Sequence, residues 1–310
     1  LTLVQPPMMV HGGDHPARAM RLMIRDLARG RQGVAEAGDL KVRPLATPGP
    51  GVRVGDGSAI VHGARPWQGA YTQANIGDAI VEVLPTGPYA RTDLLVLRIE
   101  DPEFEGDRDP RHEDVGYFHL IQGIDPRDTT AVREMTAIPL ARITIPRNTA
   151  AITAEMISDL RRLANPRAER TLRTLHPKPG ALAPAEHGRW TAWPKDATWT
   201  VEIPAWATKA AVVLTVTGLR IEGGSVYVEV RTVLGDHNGA PTVIDDDQGT
   251  SARRTTAVLA DSFDVPAHYR GTRQQLTVQI NQNDKYGHGN VSAAAGTAVV
   301  ADVEFTESPI

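Results

Sequence analysis

The chain has 310 residues, a net charge of -4 and no cysteine. That length fits two domains, and the small charge argues against nucleic acid as the main partner, because phosphate binding needs a concentrated basic surface. The missing cysteine excludes disulfides, thiolate metal sites and a cysteine nucleophile. No run is apolar for the length a bilayer span requires. The opening "LTLVQPPMMVHGGDHPAR" lacks the basic start and apolar core of a secretory signal. The chain begins at Leu1, so an initiator methionine is expected to have been removed or left out of the numbering.

Residues 1–13 read as an extended arm. Asp14 can cap a helix whose first turn holds Pro16, and Gly30 can stop it. Ala17, Met20, Ile24 and Leu27 follow at helical spacing, so the expectation is an amphipathic helix packed through that stripe. His11, Asp14 and His15 of "HGGDH" could hold a metal, but Gly12, Gly13 and Pro16 suit an arm and a helix start.

From Val42 to Pro146 the signal is β. Asp56-Gly57 within "VRVGDGSAIVHG" predicts a hairpin with a primed turn. Strands are expected over 79–84, 94–99, 116–123 and 140–145. "LLVLRI" is nearly all apolar, as in a strand covered on both faces. Thr153 can cap a helix over 154–164 with Met156, Ile157, Leu160 and Leu163 as its apolar stripe and Asp159 and Arg162 on its surface. Residues 165–196 are proline-rich and read as a connector with some helix around 167–175.

From Thr198 the alternation is strict. Trp199, Val201 and Ile203 share a face, as do Val212, Leu214 and Val216, then Val226, Val228 and Val230. Leu276, Val278 and Ile280 repeat the pattern, and Val299, Ala301, Val303 and Phe305 close it. Strands at this spacing with Gly/Asn/Asp loops predict an antiparallel β-sandwich of jelly-roll type. The fold expected is thus mainly β with short helices: a β-rich module over 1–150, a helical connector over 151–196 and the sandwich over 197–310.

The order of segments between Asp39 and Ala164 carries a resemblance. "DLKVRPLATPGPGVRVGDGSAIVHG" is followed by "ARTDLLVLRIED", then "AIPLARITIPRNTAAIT" and "AEMISDLRRLA". This resembles the N-terminal module of minor tail and baseplate proteins of long-tailed bacteriophages, especially those of actinobacteria. The resemblance covers about the first half of the chain. It implies a virion structural protein, assembled in the host cytoplasm, that docks on other tail proteins through residues 1–150 and is not an enzyme. It also implies a homotrimer, for which Met156, Ile157, Leu160 and Leu163 are the candidate interface, and host attachment through the sandwich.

Candidate chemistry lies in the sandwich loops. "GDHNGAP" and "NQNDKYGHGN" offer Asp236, His237, Asn238, Asn283, Asp284, Tyr286 and His288, residue types that bond sugar hydroxyls or stack on a sugar face. Tight turns call for the same Gly, Asn and Asp residues. The run Asp245–Asp247 could hold a cation through Asp245 and Asp247, but adjacent side chains on an extended chain diverge, and a solvated loop is the simpler reading. Trp190, Trp193, Trp199 and Trp206 could form a polysaccharide platform, although wedging a linker against its domain is the commoner use.

A glycosidase pair could be drawn from Glu202, Glu222, Glu229 and Asp302, which also occupy the polar faces expected of strands. No nucleophile elbow, zinc-protease motif, P-loop or Rossmann pattern occurs. No cofactor, nucleic-acid partner or membrane insertion is expected. Four functions come into question: a tail protein that attaches to host glycan, a purely structural tail subunit, a tail protein that degrades cell-wall polysaccharide, and a carbohydrate-binding accessory domain of a secreted bacterial enzyme, which the missing secretory signal and catalytic domain disfavour.

Overall fold

The computed structural model describes residues 11, 16–127, 131–177, 188–194, 196–282 and 288–310. Of the arm over 1–13 only His11 is described; the Asp14 cap and His15, and with them the HGGDH metal candidate, lie outside, as do Asn283, Asp284 and Tyr286. The chain divides into two compact units, Leu1–Pro166 with Ser308–Ile310, and Arg167–Glu307.

In the first unit, helix α1 spans Ala17–Leu27. Ten strands follow: β1 Gly33–Val34, β2 Val42–Pro44, β3 Gly51–Val54, β4 Gly57–His62, β5 Ala70–Asn75, β6 Ala79–Glu82, β7 Arg91–Ile99, β8 Gly116–Ile121, β9 Ala137–Ile145 and β10 Ile157–Asp159. They form three sheets, ordered β1-β4-β5, β2-β3-β6 and β10-β9-β7-β8. The run "LLVLRI" is covered on both faces as expected. Leu95, Leu97 and Ile99 enter the main core, and Leu94 and Val96 a second, smaller cluster. A bulge in β9 skips Leu140 and puts it on the core face with Ala141, Ile143 and Ile145.

Three expectations for this unit are corrected. First, α1 does not dock through its apolar stripe: Leu27 is 75% exposed, whereas Ala19 and Arg21 are buried. Arg21 is held by a polar socket. Its Nε donates to the Gln68 carbonyl at 3.0 Å, Nη1 lies 3.1 Å from Asp101, and Nη2 pairs with Glu103. Second, Asp56-Gly57 makes no hairpin, because β3 and β4 belong to different sheets. It is a corner where the Ser58 N–H donates to Asp39 and the Leu40 N–H to the Asp56 carbonyl.

Third, no helix covers 154–164. A 3-10 turn over Ala154–Met156 leads directly into β10. The presumed interface stripe is used inside the unit itself. Met156 and Ile157 pack on the main core and Leu163 lies within it, while Leu160 packs on the other face of the sheet with Leu94 and Val96. Leu160 and Leu163 therefore cannot form one helical face. Asp159 pairs with Arg161 at 2.7 Å rather than with Arg162, and Arg161 donates to the carbonyls of Ala37 and Ile310.

The second unit is built from β11 Ala168–Leu175, β12 Thr191–Ala192, β13 Thr198–Glu202, β14 Lys209–Glu222, β15 Val226–Leu234, β16 His237–Asn238, β17 Thr242–Asp246, β18 Arg253–Asp264, β19 Arg273–Gln282, β20 Asn290–Ser292 and β21 Ala298–Thr306. The expected helix around 167–175 is strand β11, paired along its whole length with β21. The apolar residue of each predicted alternation, from Trp199 to Phe305, enters one core.

One sheet runs β11-β21-β14-β18, with β20 also on β14. The other runs β13-β19-β15-β17, with β12 beside β13 and β16 beside β17. Counting β12 with β13, and β20 with β21, and leaving the two-residue β16 aside, the main strands in chain order give sheets 1-8-3-6 and 2-7-4-5. Consecutive strands alternate between sheets except at one hairpin, which is the double Greek key of a jelly roll. At the β14 bulge Gly218 adopts φ +67°, and a Cβ there would stand 2.3 Å from the Gly296 carbonyl oxygen.

Candidate functional site

A jelly roll has two long sides where its sheet edges meet. In this unit one is closed and the other is open. The closed side joins β16 and β17 to β18. His237 reaches across it, with Nε2 2.7 Å from Asp261 and its ring stacked on Phe263 at 3.9 Å and 18°.

The open side lies between β11 and β13. Register pairs Thr171 with Val303, Arg173 with Ala301 and Glu169 with Phe305, so these β11 residues share the inward face of β21. Charged and hydroxyl side chains cannot complete an apolar core, and the edge stays open. It holds a cavity of about 430 Å³, within the size range of small-ligand sites. Glu169, Thr171 and Arg173 line one wall, and Trp199, Val201 and Glu202 the other. Ala301, Val303 and Leu276 form the floor, and Pro204, Ala205 and Trp206 close one end.

Several contacts fix this groove. The Arg173 guanidinium donates to the Thr200 carbonyl at 3.3 Å. Half-buried Trp206 carries the Arg167 guanidinium 5.7 Å from its ring centre. Arg167 is clamped by Glu307 through bonds of 2.8 and 2.6 Å. Those bonds hold the Glu307 carboxyl below its ordinary pKa although burial opposes them. On the outer face of β11, Arg170 likewise depresses Asp302 by a bidentate pair. The groove thus presents indole surface, the Glu169 carboxylate and a guanidinium around an apolar floor, with the exposed Glu202 carboxylate at its rim 3.6 Å from Arg273. Carboxylates accept hydrogen bonds from hydroxyls, and indole faces cover the C–H surface of a sugar ring.

Of the loop residues expected to bind glycan, Asn283, Asp284 and Tyr286 lie outside the described residues, and Asp236, His237, Asn238 and His288 are described. Asp236, His237 and Asn238 follow the Leu234 end of β15, whereas β19 ends at Gln282, which pairs with Val228 at the other end of β15. Those ends are separated by six residues of strand, roughly 20 Å. His237 is engaged as described, the Asp236 N–H donates to the Tyr269 hydroxyl at 2.5 Å, and His288 is exposed. Asn238 donates to the Asp236 carbonyl at 3.4 Å.

The acidic run is split by the strand pleat. Asp245 and Asp247 are exposed while Asp246 pairs with Arg253, whose bond holds its carboxyl low. Among the described residues no three metal-ligating side chains converge. Trp193 and Trp199 are core residues, and Trp190 lies under Arg231 at 4.1 Å. Sequence reasoning missed Glu169, Thr171 and Arg173. Their strand carries no apolar alternation, because its two leucines, Leu172 and Leu175, fall on opposite faces among polar residues.

No family model and no curated protein matches the sequence. Among solved structures, the infectious bursal disease virus Gt strain shares 10% identity at a TM-score of 0.25, covering 90% of this chain and 76% of that one. A family two carbohydrate esterase from Cellvibrio japonicus shares 17% identity at 0.19, covering 46% and 37%. The insecticidal delta-endotoxin Cry8Ea1 of Bacillus thuringiensis shares 9% at 0.24, covering 90% and 52%. Similarities of this size define neither fold nor function. By strand order and groove, the chain is a two-unit β protein whose second unit is a jelly roll open along one side.

Proposed function

We propose that the chain is a structural component of a phage particle and that its jelly-roll unit contributes to host attachment by holding a saccharide in the β11–β13 groove. The observation that carries this reading is the inward polar face of β11, Glu169, Thr171 and Arg173, set opposite Trp199 and Glu202. The jelly roll alone does not carry it, because that architecture serves capsids, lectins and enzymes alike. Placement in a virion, at a tail tip or baseplate, rests on the resemblance of residues 39–164. So do the homotrimer and assembly with other tail proteins. No catalytic step is assigned. Weak single sites become effective when many copies share one particle. A glycan array probed with the multimerised full chain tests the reading: binding to a host-surface saccharide supports it, and an array without signal contradicts it.

A second reading, a subunit that contacts only other tail proteins, is favoured by exposed apolar side chains in the first unit. Ile76 is 97% and Tyr89 82% exposed, and Ile80 projects from edge strand β6. Trp67 is exposed although its backbone is held at φ +61°.

A further inference from the structure

A groove of about 610 Å³ lies beside the β10-β9-β7-β8 sheet, where residues of both its faces, Leu94 and Leu160 of one and Ile138 and Leu163 of the other, come to the surface. Its floor is apolar, built on Leu94, Ile138, Leu160 and Leu163, and its rim holds Arg31, Arg142 and Arg162. The rim is set by a close backbone approach. Gly33 lies against the Arg162 carbonyl so tightly that a Cβ would stand 2.0 Å from its oxygen. This lets the Val34 N–H donate to that oxygen at 2.8 Å and the Ala164 N–H to Val34 at 2.9 Å, fixing Arg31 and Arg162 near one another.

Arg142 separates this rim from an ordinary solvated surface. Among the described residues four arginines have a buried Nε without a hydrogen-bond partner: Arg53, Arg98, Arg142 and Arg270. Three of them are satisfied elsewhere on the guanidinium: Arg53 pairs with Asp78, Arg98 with Glu100, and Arg270 donates to the Val265 carbonyl. Among the described residues Arg142 meets no acceptor, and neither Arg31 nor Arg162 meets an acid. A buried donor left without an acceptor is uncommon in a complete structure. Three arginines without an acid partner among the described residues, set around an apolar floor in a chain of net charge -4, give this rim a positive local character.

We infer that this groove docks an acidic segment of a partner protein, with apolar side chains on the floor and flanking Asp or Glu carboxylates on Arg31, Arg142 and Arg162. Guanidinium forks suit carboxylates through paired N–H donors. The cations come from three separate segments, before β1, within β9 and after β10, so they match several carboxylates spaced along a peptide better than one headgroup.

The test is selection of a displayed random-peptide library on the full chain, followed by binding of the enriched peptides to the Arg31→Glu/Arg162→Glu double variant and to Arg142→Gln. Both rim residues of the double variant are exposed, and unchanged near-UV circular dichroism reports intact packing. Expected are enriched peptides with Asp or Glu flanking Leu, Ile or Phe, binding that falls with salt, and a loss of roughly tenfold or more in the double variant. Enrichment of neutral or basic peptides, equal binding to the folded double variant, or no enrichment overturns the inference. So does saturable binding of laurate that the double variant abolishes while no acidic peptide binds.

Discussion

His237 of β16 and Asp261 of β18 join the two sheets of the jelly roll, Nε2 to Oδ2 at 2.7 Å, and the imidazole lies flat on Phe263. This link makes the two sides of the sandwich unlike. Where it stands the edges are sealed, and at the opposite side, between β11 and β13, polar inward residues leave a groove. Replacing His237 with Ala removes a hydrogen bond and a ring stack at a partly buried seam. The expected cost is about 1–3 kcal/mol of stability, measured as a lower denaturant midpoint.

Arg21 performs the corresponding task for α1. Its guanidinium is 9% exposed and faces Asp101, whose carboxylate also accepts the Tyr71 hydroxyl at 2.6 Å. Burial, followed by that bond, pushes the Tyr71 hydroxyl far above its ordinary pKa. Removing Arg21 leaves a buried carboxylate without its cation. Arg21→Ala is therefore expected to destabilise the first unit by about 3–5 kcal/mol. Hydrogen exchange should show loss of protection over residues 17–27 before any loss in the second unit.

The Arg167–Glu307 clamp makes part of the second unit's stability acid-sensitive. The Glu307 carboxyl is held below its usual 4.5 chiefly by the Arg167 bond, against burial. A group depressed in the folded state stabilises fully above its unfolded pKa and loses that contribution as pH falls through its folded pKa. Stability should therefore decline below pH 4.5, and Glu307→Gln should flatten that decline while lowering stability at neutral pH. Denaturation of both proteins across that range checks it.

Gly218 holds the β14 bulge at φ +67° against the Gly296 carbonyl. Gly218→Ala is expected to cost more than about 1 kcal/mol, because the new Cβ meets backbone and the conformation disfavours side chains. Thermal unfolding would show it as a lower midpoint.

The sequence made the second unit legible where one face of a strand is apolar. Val226, Val228 and Val230, or Leu276, Val278 and Ile280, announce both strand and face through period-2 alternation. Strand β11 was hidden for the reason it matters: Glu169, Thr171 and Arg173 face inward with no apolar partner series, so the segment reads as connector. Met156, Ile157, Leu160 and Leu163 imitate a helical stripe because their spacing takes no account of the two faces of a sheet. Leu160 and Leu163 serve opposite faces. For α1 the periodicity was genuine, but Arg21 overrode it once Asp101 and Glu103, about 80 positions away in sequence, supplied counter-charge. Likewise, nothing local in Asp56-Gly57 records that β3 and β4 pair with different partners.

Saccharide binding in the groove between β11 and β13 can be measured on the purified full chain. The test is binding of the full chain to its best array glycan beside three variants: Trp206→Ala and Glu169→Gln in the groove, and Val258→Thr on the exposed face of β18. Each groove variant is expected to lose roughly tenfold or more in affinity while Val258→Thr binds as the parent does. Groove variants that bind as tightly as the parent would contradict binding in the groove.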